Sequence, residues 1–263
     1  MTTFRDLLKT KKLKLGTYIG EFATPGIGRM LAAAGCDFAF VDMEHSGFGF
    51  ETTKTLLRHL HDAGIASLVR PPSKAEHHIA RACDIGAQGV IPPMLETVEQ
   101  ARTLARQIKY PPQGSRGAAF GIAHDDYRQQ PVVDALASAN AKTSAIALIE
   151  TVEGVDNADA IAATDGVECL WLGHFDLSNS LGIPGQFESP AFRTAMNTVT
   201  QAGLAHGRNM GRLVGSPDEG AALFAKGCDF ICYSGDVWIF TSALTQGLAA
   251  TRERIGGAVA GGA

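Results

Sequence analysis

Eight short apolar runs alternate with amphipathic stretches along the whole chain, and this order constrains the fold more than any single motif does. The runs cover residues 14–19, 38–42, 66–70, 89–91, 145–150, 169–172, 209–214 and 230–234. Runs of this length, dominated by apolar residues and bounded by turn residues, read as buried strands. Helical spacing fills the intervals at residues 25–34, 50–63, 74–85, 97–108, 155–163, 190–206 and 217–226, with a last helix expected from about 237 to 254. Gly35-Cys36-Asp37, Gly86-Ala87-Gln88 and Gly227-Cys228-Asp229 each precede a strand. A glycine after a helix supplies a left-handed cap, so its recurrence marks one repeated helix-to-strand turn. Eight such units in 263 residues predict a single-domain α/β chain folded as a TIM (β/α)8 barrel. A doubly wound sheet alternates too, but no Gly-x-Gly-x-x-Gly follows the first strand, which argues against a dinucleotide domain.

Bulk properties narrow the function. A formal charge of −4 argues against a nucleic-acid partner, whose recognition needs a basic surface. No apolar run of about 18 residues exists to span a membrane. Met1-Thr2-Thr3-Phe4-Arg5-Asp6 lacks the apolar core of a signal peptide. Five cysteines, at 36, 83, 169, 228 and 232, show neither disulfide nor zinc spacing and read as reduced thiols of a cytoplasmic protein. The Gly/Ala-rich tail 256–263 is expected to fray. Trp171 and Trp238 read as packing residues. The longest irregular stretch, 110–127, is long enough to suggest a functional loop.

Barrel enzymes work at the carboxyl ends of their strands. At those ends lie Asp42, Glu44 and His45 after strand 2, Arg70 on strand 3, Glu150 on strand 5, His174 and Asp176 after strand 6, and Ser234 to Asp236 at strand 8. Glu150 and Asp176 are the candidate metal ligands. Mg²⁺ or Mn²⁺ takes oxygen donors, often only one or two carboxylates, and keeps positions open for water and substrate. The bland reading of either acid is a favourable charge at the start of the next helix. Arg70 suits a carboxylate or a developing enolate oxygen. Its bland reading is a structural salt bridge to a rim acid. His45 is the candidate proton carrier, with Asp42 or Glu44 available to fix its tautomer. The alternative is a satisfied loop histidine. No Gly-x-Ser-x-Gly supports a hydrolase, and no strand-end lysine suits a Schiff base.

Six segments in register carry a family resemblance: Asp42-Met43-Glu44-His45, Val69-Arg70-Pro71, Asp84-Ile85-Gly86-Ala87-Gln88-Gly89, the loop from Tyr110-Pro111-Pro112 to Arg116-Gly117, Ile149-Glu150-Thr151, and Gly173-His174-Phe175-Asp176-Leu177-Ser178. Together they resemble the HpcH/HpaI aldolases over nearly the whole chain. The resemblance implies a class II pyruvate aldolase on a phosphoenolpyruvate-binding barrel. Its cofactor would be a divalent metal, Mg²⁺ or Mn²⁺, with Co²⁺ or Zn²⁺ as alternatives. It implies hexamers, as trimers of dimers that exchange the last helix. It assigns Glu150 and Asp176 to the metal, Arg70 to the keto oxygen of pyruvate and His45 to proton transfer, with Asp42 supporting the histidine. Asp84 is expected to approach His45 of a neighbouring subunit, and backbone groups of Gly173 and His174 to hold the pyruvate carboxylate. Leu148 stands where many members have Gln, His174-Phe175 where Pro-Ala is usual, and Tyr18 where Trp is often found.

The expected reaction is cleavage or formation of a 4-hydroxy-2-oxo acid through a pyruvate enolate, with an aldehyde as the second small molecule. Oxaloacetate decarboxylation through the same enolate, as in a macrophomate-synthase-like enzyme, is the first alternative. A CoA-ester lyase would need a basic surface that this composition does not advertise. A non-catalytic barrel scaffold is the reading from outside the enzymes.

Overall fold

A computed structural model describes residues 2–260. Eight parallel strands close into a barrel in the order β1 to β8. They are β1 (Lys14–Ile19), β2 (Phe38–Asp42), β3 (Ala66–Arg70), β4 (Gly89–Val90), β5 (Ser144–Ile149), β6 (Val167–Leu172), β7 (Asn209–Val214) and β8 (Phe230–Gly235). The expected TIM barrel is therefore observed. The helices are α1 (Phe4–Leu8), α2 (Ile27–Ala33), α3 (Phe50–Asp62), α4 (Glu76–Asp84), α5 (Val98–Gln107), α6 (Val132–Lys142), α7 (Val152–Asp156), α8 (Ala158–Ala163), α9 (His174–Ser180), α10 (Pro190–Ala205), α11 (Pro217–Ala225) and α12 (Asp236–Ala260). No described helix is long and apolar enough to cross a membrane.

Strand parity sorts the side chains, because successive residues face opposite sides of a sheet. Phe38, Phe40, Leu68, Ile146, Leu148, Cys169, Trp171, Phe230 and Cys232 fill the barrel interior. Ala39, Val41, Val69, Ala147, Ile149, Leu170 and Met210 face the helices in a second apolar layer. The interior is built on aromatics: Phe38 meets Trp171 edge-on at 6.1 Å and Phe230 at 5.4 Å, and Phe4 of α1 packs against Phe230 at 5.2 Å from below. Trp171 fits because Gly211 on the next strand leaves its side empty; a Cβ there would lie 2.0 Å from the indole.

Three α-helices escape the sequence reading. α1 has five residues and is held by a capping box between Thr3 and Asp6. α6 is alanine-rich and weakly amphipathic, so it carries little periodic signal. α9 has seven residues and starts directly on the strand-end motif. The single helix expected over 155–163 is two, with Asn157 at the joint donating to the Glu96 carbonyl at 2.9 Å. The recurrent glycine turn is observed as read: Gly35, Gly86 and Gly227 hold φ of 83°, 108° and 98°.

The last helix differs from its expected span. α12 runs on to Ala260, past the expected end near residue 254, and the end of the 256–263 tail lies outside the described residues. α12 presents Ile239, Phe240, Leu244, Leu248 and Ile255 to solvent. Beside β8 and β1, between α2 and α11, an apolar groove of about 680 Å³ is lined by Leu13, Leu15, Leu31, Val214, Phe224 and Ile231.

The aromatic interior should carry much of the stability. Phe38→Ala is expected to cost about 3–5 kcal/mol in urea unfolding, because the rigid barrel cannot collapse onto the void. A loss under 1 kcal/mol, on the order of a surface change, would show that the interior repacks freely.

Candidate active site at the carboxyl end of the barrel

Asp42, Arg70 and Glu150 continue the inward parity of Phe38–Phe40, Ala66–Leu68 and Ile146–Leu148, so the strands aim all three into the barrel mouth. The mouth holds a pocket of about 360 Å³, a size suited to a small molecule, lined among others by Tyr18, His45, Arg70, Glu150, Asp176 and Trp238.

Asp42 is fully buried and organises one side of this pocket. Its carboxylate accepts Arg70 Nε and Nη2, both at 2.7 Å, in a forked pair. It also accepts the Tyr18 hydroxyl at 2.8 Å and the backbone N–H groups of Glu44 and His45 at 3.0 and 3.3 Å. Burial alone would raise its pKa, but the Arg70 hydrogen bonds and charge outweigh that and hold it below the usual carboxylate range. The same pairing, against the cost of burial, holds Arg70 above its ordinary value, with Glu44 adding a contact at 3.1 Å. The guanidinium is thus fixed in charge and in orientation.

Glu150 is the electrostatic opposite. It is buried, and Oε1 accepts the Met94 N–H at 2.7 Å. Met94 holds φ of 53°, a left-handed conformation uncommon for its residue type, at the place where its N–H meets the carboxylate. Burial pushes the Glu150 carboxyl up to about 7; Met94 and Arg70 oppose the shift, while Asp176 and Glu44 add to it. The carboxylate leans against Gly173, where a Cβ would lie 2.4 Å from Oε2. Asp176 sits half-buried in the first turn of α9.

These two acids can be tested as a metal site. Among the described residues no group of three or more His, Cys, Asp and Glu is set to hold a metal. Glu150 and Asp176 therefore stand as a pair of carboxylates, the first held above its ordinary pKa by burial. That donor set fits a hard cation that keeps water and takes substrate oxygens, and does not fit a closed Cys/His zinc site.

The other expected residues fall less simply. The His45 side chain is 61% exposed, and its Nε2 lies 3.6 Å from Glu44 Oε2. Asp42 contacts the His45 backbone, not its ring, because the carboxylate is committed to Arg70 and Tyr18. Asp84 closes α4, which returns to the start of β4, so it lies at the opposite end of its own barrel and pairs with Arg116. Any meeting of Asp84 with His45 has to occur between two copies. Gly173 N–H is spent on the Ile149 carbonyl at 3.0 Å. Of the two backbone positions expected to meet a substrate carboxylate, this leaves His174, whose N–H opens α9 and has no intrahelical partner. The His174 ring is pushed down to about 4, by burial first and by Arg212 second, so it is neutral at physiological pH.

Two residues gain a place that the sequence reading did not give them. Trp238 packs on Tyr18 at 5.2 Å and, half-exposed, walls the mouth. Tyr18 steadies Asp42. Its inward parity at the end of β1 was a usable signal; Trp238, on the helix after β8, offered none.

A closed (β/α)8 barrel thus gathers an acid pair and a fixed guanidinium in one pocket at its strand ends. Residues 20–242 match the model of the HpcH/HpaI aldolase/citrate lyase family, and the chain belongs to that family. It is 32% identical over 251 residues to 5-keto-4-deoxy-D-glucarate aldolase of Shigella boydii, an alignment covering 95% of this chain and 96% of the relative. The solved HpcH/HpaI aldolase from Desulfitobacterium hafniense superposes with a TM-score of 0.90 at 30% identity, over 96% of this chain and 98% of that one. Macrophomate synthase superposes with 0.85 at 27% identity, over 96% and 90%. The chain is accordingly an aldolase-type carbon–carbon lyase.

The raised pKa of Glu150 has a thermodynamic consequence. Without metal, the folded protein binds a proton here between the ordinary value of 4.5 and about 7, so stability falls as pH rises through that window and the cost is complete above it. Glu150→Gln keeps an acceptor for Met94 but cannot ionise. In chelator it should raise the melting temperature at about pH 8 and change it little at about pH 5. Equal shifts at both pH values would show that ionisation is not the cost.

Proposed function

We propose that this enzyme cleaves and forms 4-hydroxy-2-oxo acids, with pyruvate as the 2-oxo fragment and Glu150 and Asp176 as the metal ligands. The observation that carries the reading is a buried carboxylate held above its ordinary pKa in the same pocket as a fixed guanidinium. A divalent cation held by the two acids would polarise a 2-oxo acid as a Lewis acid. Arg70, kept charged and oriented by Asp42, faces the keto oxygen and stabilises the negative charge that develops there. The N–H of His174 receives the substrate carboxylate. In cleavage, His45 takes the proton of the 4-hydroxyl; the C3–C4 bond breaks, its electron pair moves to the pyruvate fragment, and the aldehyde leaves. In addition, the same histidine returns the proton to the new hydroxyl. Asp84 of a second copy would orient His45.

Assembly follows from α12. We assign the apolar groove beside β8 and β1 to the α12 of a second copy, which would bury Leu244 and Leu248, with three such dimers forming a hexamer. Sedimentation velocity should show a hexamer, and Leu244→Asp with Leu248→Asp should shift it to smaller species. A wild-type monomer would contradict this arrangement.

Decarboxylation of oxaloacetate would generate the same enolate. Leu148 at the pocket wall and the likeness to macrophomate synthase favour keeping this second reading. Exchange of pyruvate methyl protons in D₂O, followed by NMR, tests what both share. It should need Mn²⁺ or Mg²⁺, vanish in Glu150→Gln and Asp176→Asn, and fall about 10²–10³-fold in Arg70→Ala, the loss typical of one preorganised donor. Unchanged exchange in either acid variant would remove that acid from the site. Oxaloacetate turnover without aldol addition to any aldehyde would favour the second reading.

A further inference from the structure

The second fragment of the reaction meets the part of the pocket beyond Arg70 and Glu150, and that part is apolar. Leu148 and Trp171 are buried beneath it, and the Tyr18–Trp238 pair stands on one side. On the other side the His174 ring packs on Phe175 at 4.3 Å and on Phe187 at 5.2 Å, with Phe175 58% exposed at the rim.

Apart from His45, His174 and the acids, the polar side chains that this chain places here are already committed. Among the described residues lining the pocket, Arg70 is the single Lys or Arg, and three of its nitrogens bond Asp42 and Glu44. The Tyr18 hydroxyl donates to Asp42. Against these apolar walls an aldehyde bearing hydroxyls or a carboxylate would lose hydration, which is costly. An aliphatic or aromatic aldehyde would gain burial against two aromatic faces.

We propose that this site selects uncharged, apolar aldehydes, and that Trp238 and Phe175 determine that specificity. The inference rests on the pyruvate-aldolase reading. In the forward step, C3 of the pyruvate enolate bonds to the aldehyde carbon; the carbonyl π pair moves to oxygen, which takes the proton held by His45, giving a 4-hydroxy-2-oxo acid with an apolar tail. 5-Keto-4-deoxy-D-glucarate, the substrate named for the Shigella boydii relative, carries hydroxyls and a second carboxylate, so this chain should turn it over poorly.

The test uses the metal-loaded enzyme and two readouts. Pyruvate methyl exchange reports the underlying reading. Then kcat/KM for pyruvate addition is measured with hexanal and benzaldehyde against glyceraldehyde and glyoxylate. The apolar pair should be favoured about tenfold or more, the scale of discrimination that an apolar pocket supplies. Trp238→Ala and Phe175→Ala should each lower the apolar-to-polar ratio, mainly through KM for the apolar aldehydes, and Phe175→Leu should retain it. Exchange with a preference for glyceraldehyde or glyoxylate overturns this inference and leaves the aldolase reading standing. An apolar preference whose ratio is unchanged in both alanine variants overturns the assignment to these residues. Absence of exchange with every divalent metal overturns both.

Discussion

The forked pair between Asp42 and Arg70 is the contact on which the barrel mouth depends. Through one buried carboxylate it ties the ends of β1, β2 and β3, since Tyr18, the Glu44 and His45 amides and Arg70 all donate to Asp42. Burying such a pair returns little net stability, because desolvation offsets the attraction. Breaking it is costly, because a single buried charge would remain. The pair therefore acts less as a brace than as a means of holding one guanidinium, charged and aimed, beside a pocket.

Glu150 stands across that pocket in the reverse condition. Asp42 has its countercharge bonded to it; Glu150 has one backbone N–H and the charge of Arg70, and burial still lifts its pKa to about 7. Two carboxylates on one rim are thus set apart by their surroundings. One is saturated by donors within the fold, and the other is held up by burial. Carboxylates shifted by burial in a cleft are concentrated at functional sites. Gly173 adds the steric side of the same design, since nothing larger could stand against the Glu150 carboxylate.

Much of this was legible in the sequence because strand parity is a local property. Asp42, Arg70 and Glu150 end runs whose inward members are large and apolar, so their direction could be read two residues at a time. The fold followed from eight such runs and a repeated glycine turn. What was not legible depends on contacts across the chain. The partner of Asp42 is settled by β2 lying beside β3, so local sequence set it near His45 when its carboxylate belongs to Arg70. The opposite-end position of Asp84 needs the antiparallel return of α4. Trp238 looked like a packing residue because its neighbour, Tyr18, is 220 positions away in the chain. α6 and α9 went unseen because an alanine-rich helix and a seven-residue helix carry little periodicity.

The central claim is that Glu150 and Asp176 together hold a divalent cation at which a 2-oxo acid is engaged. Anomalous diffraction from crystals soaked with Mn²⁺ and pyruvate tests it most directly. The account predicts one strong manganese peak in the barrel mouth, within about 2.2 Å of an oxygen of each acid, with pyruvate oxygens and water completing the shell and Arg70 beside the keto oxygen. A manganese peak away from these two carboxylates, or pyruvate bound in the mouth with no metal beside it, would contradict the account.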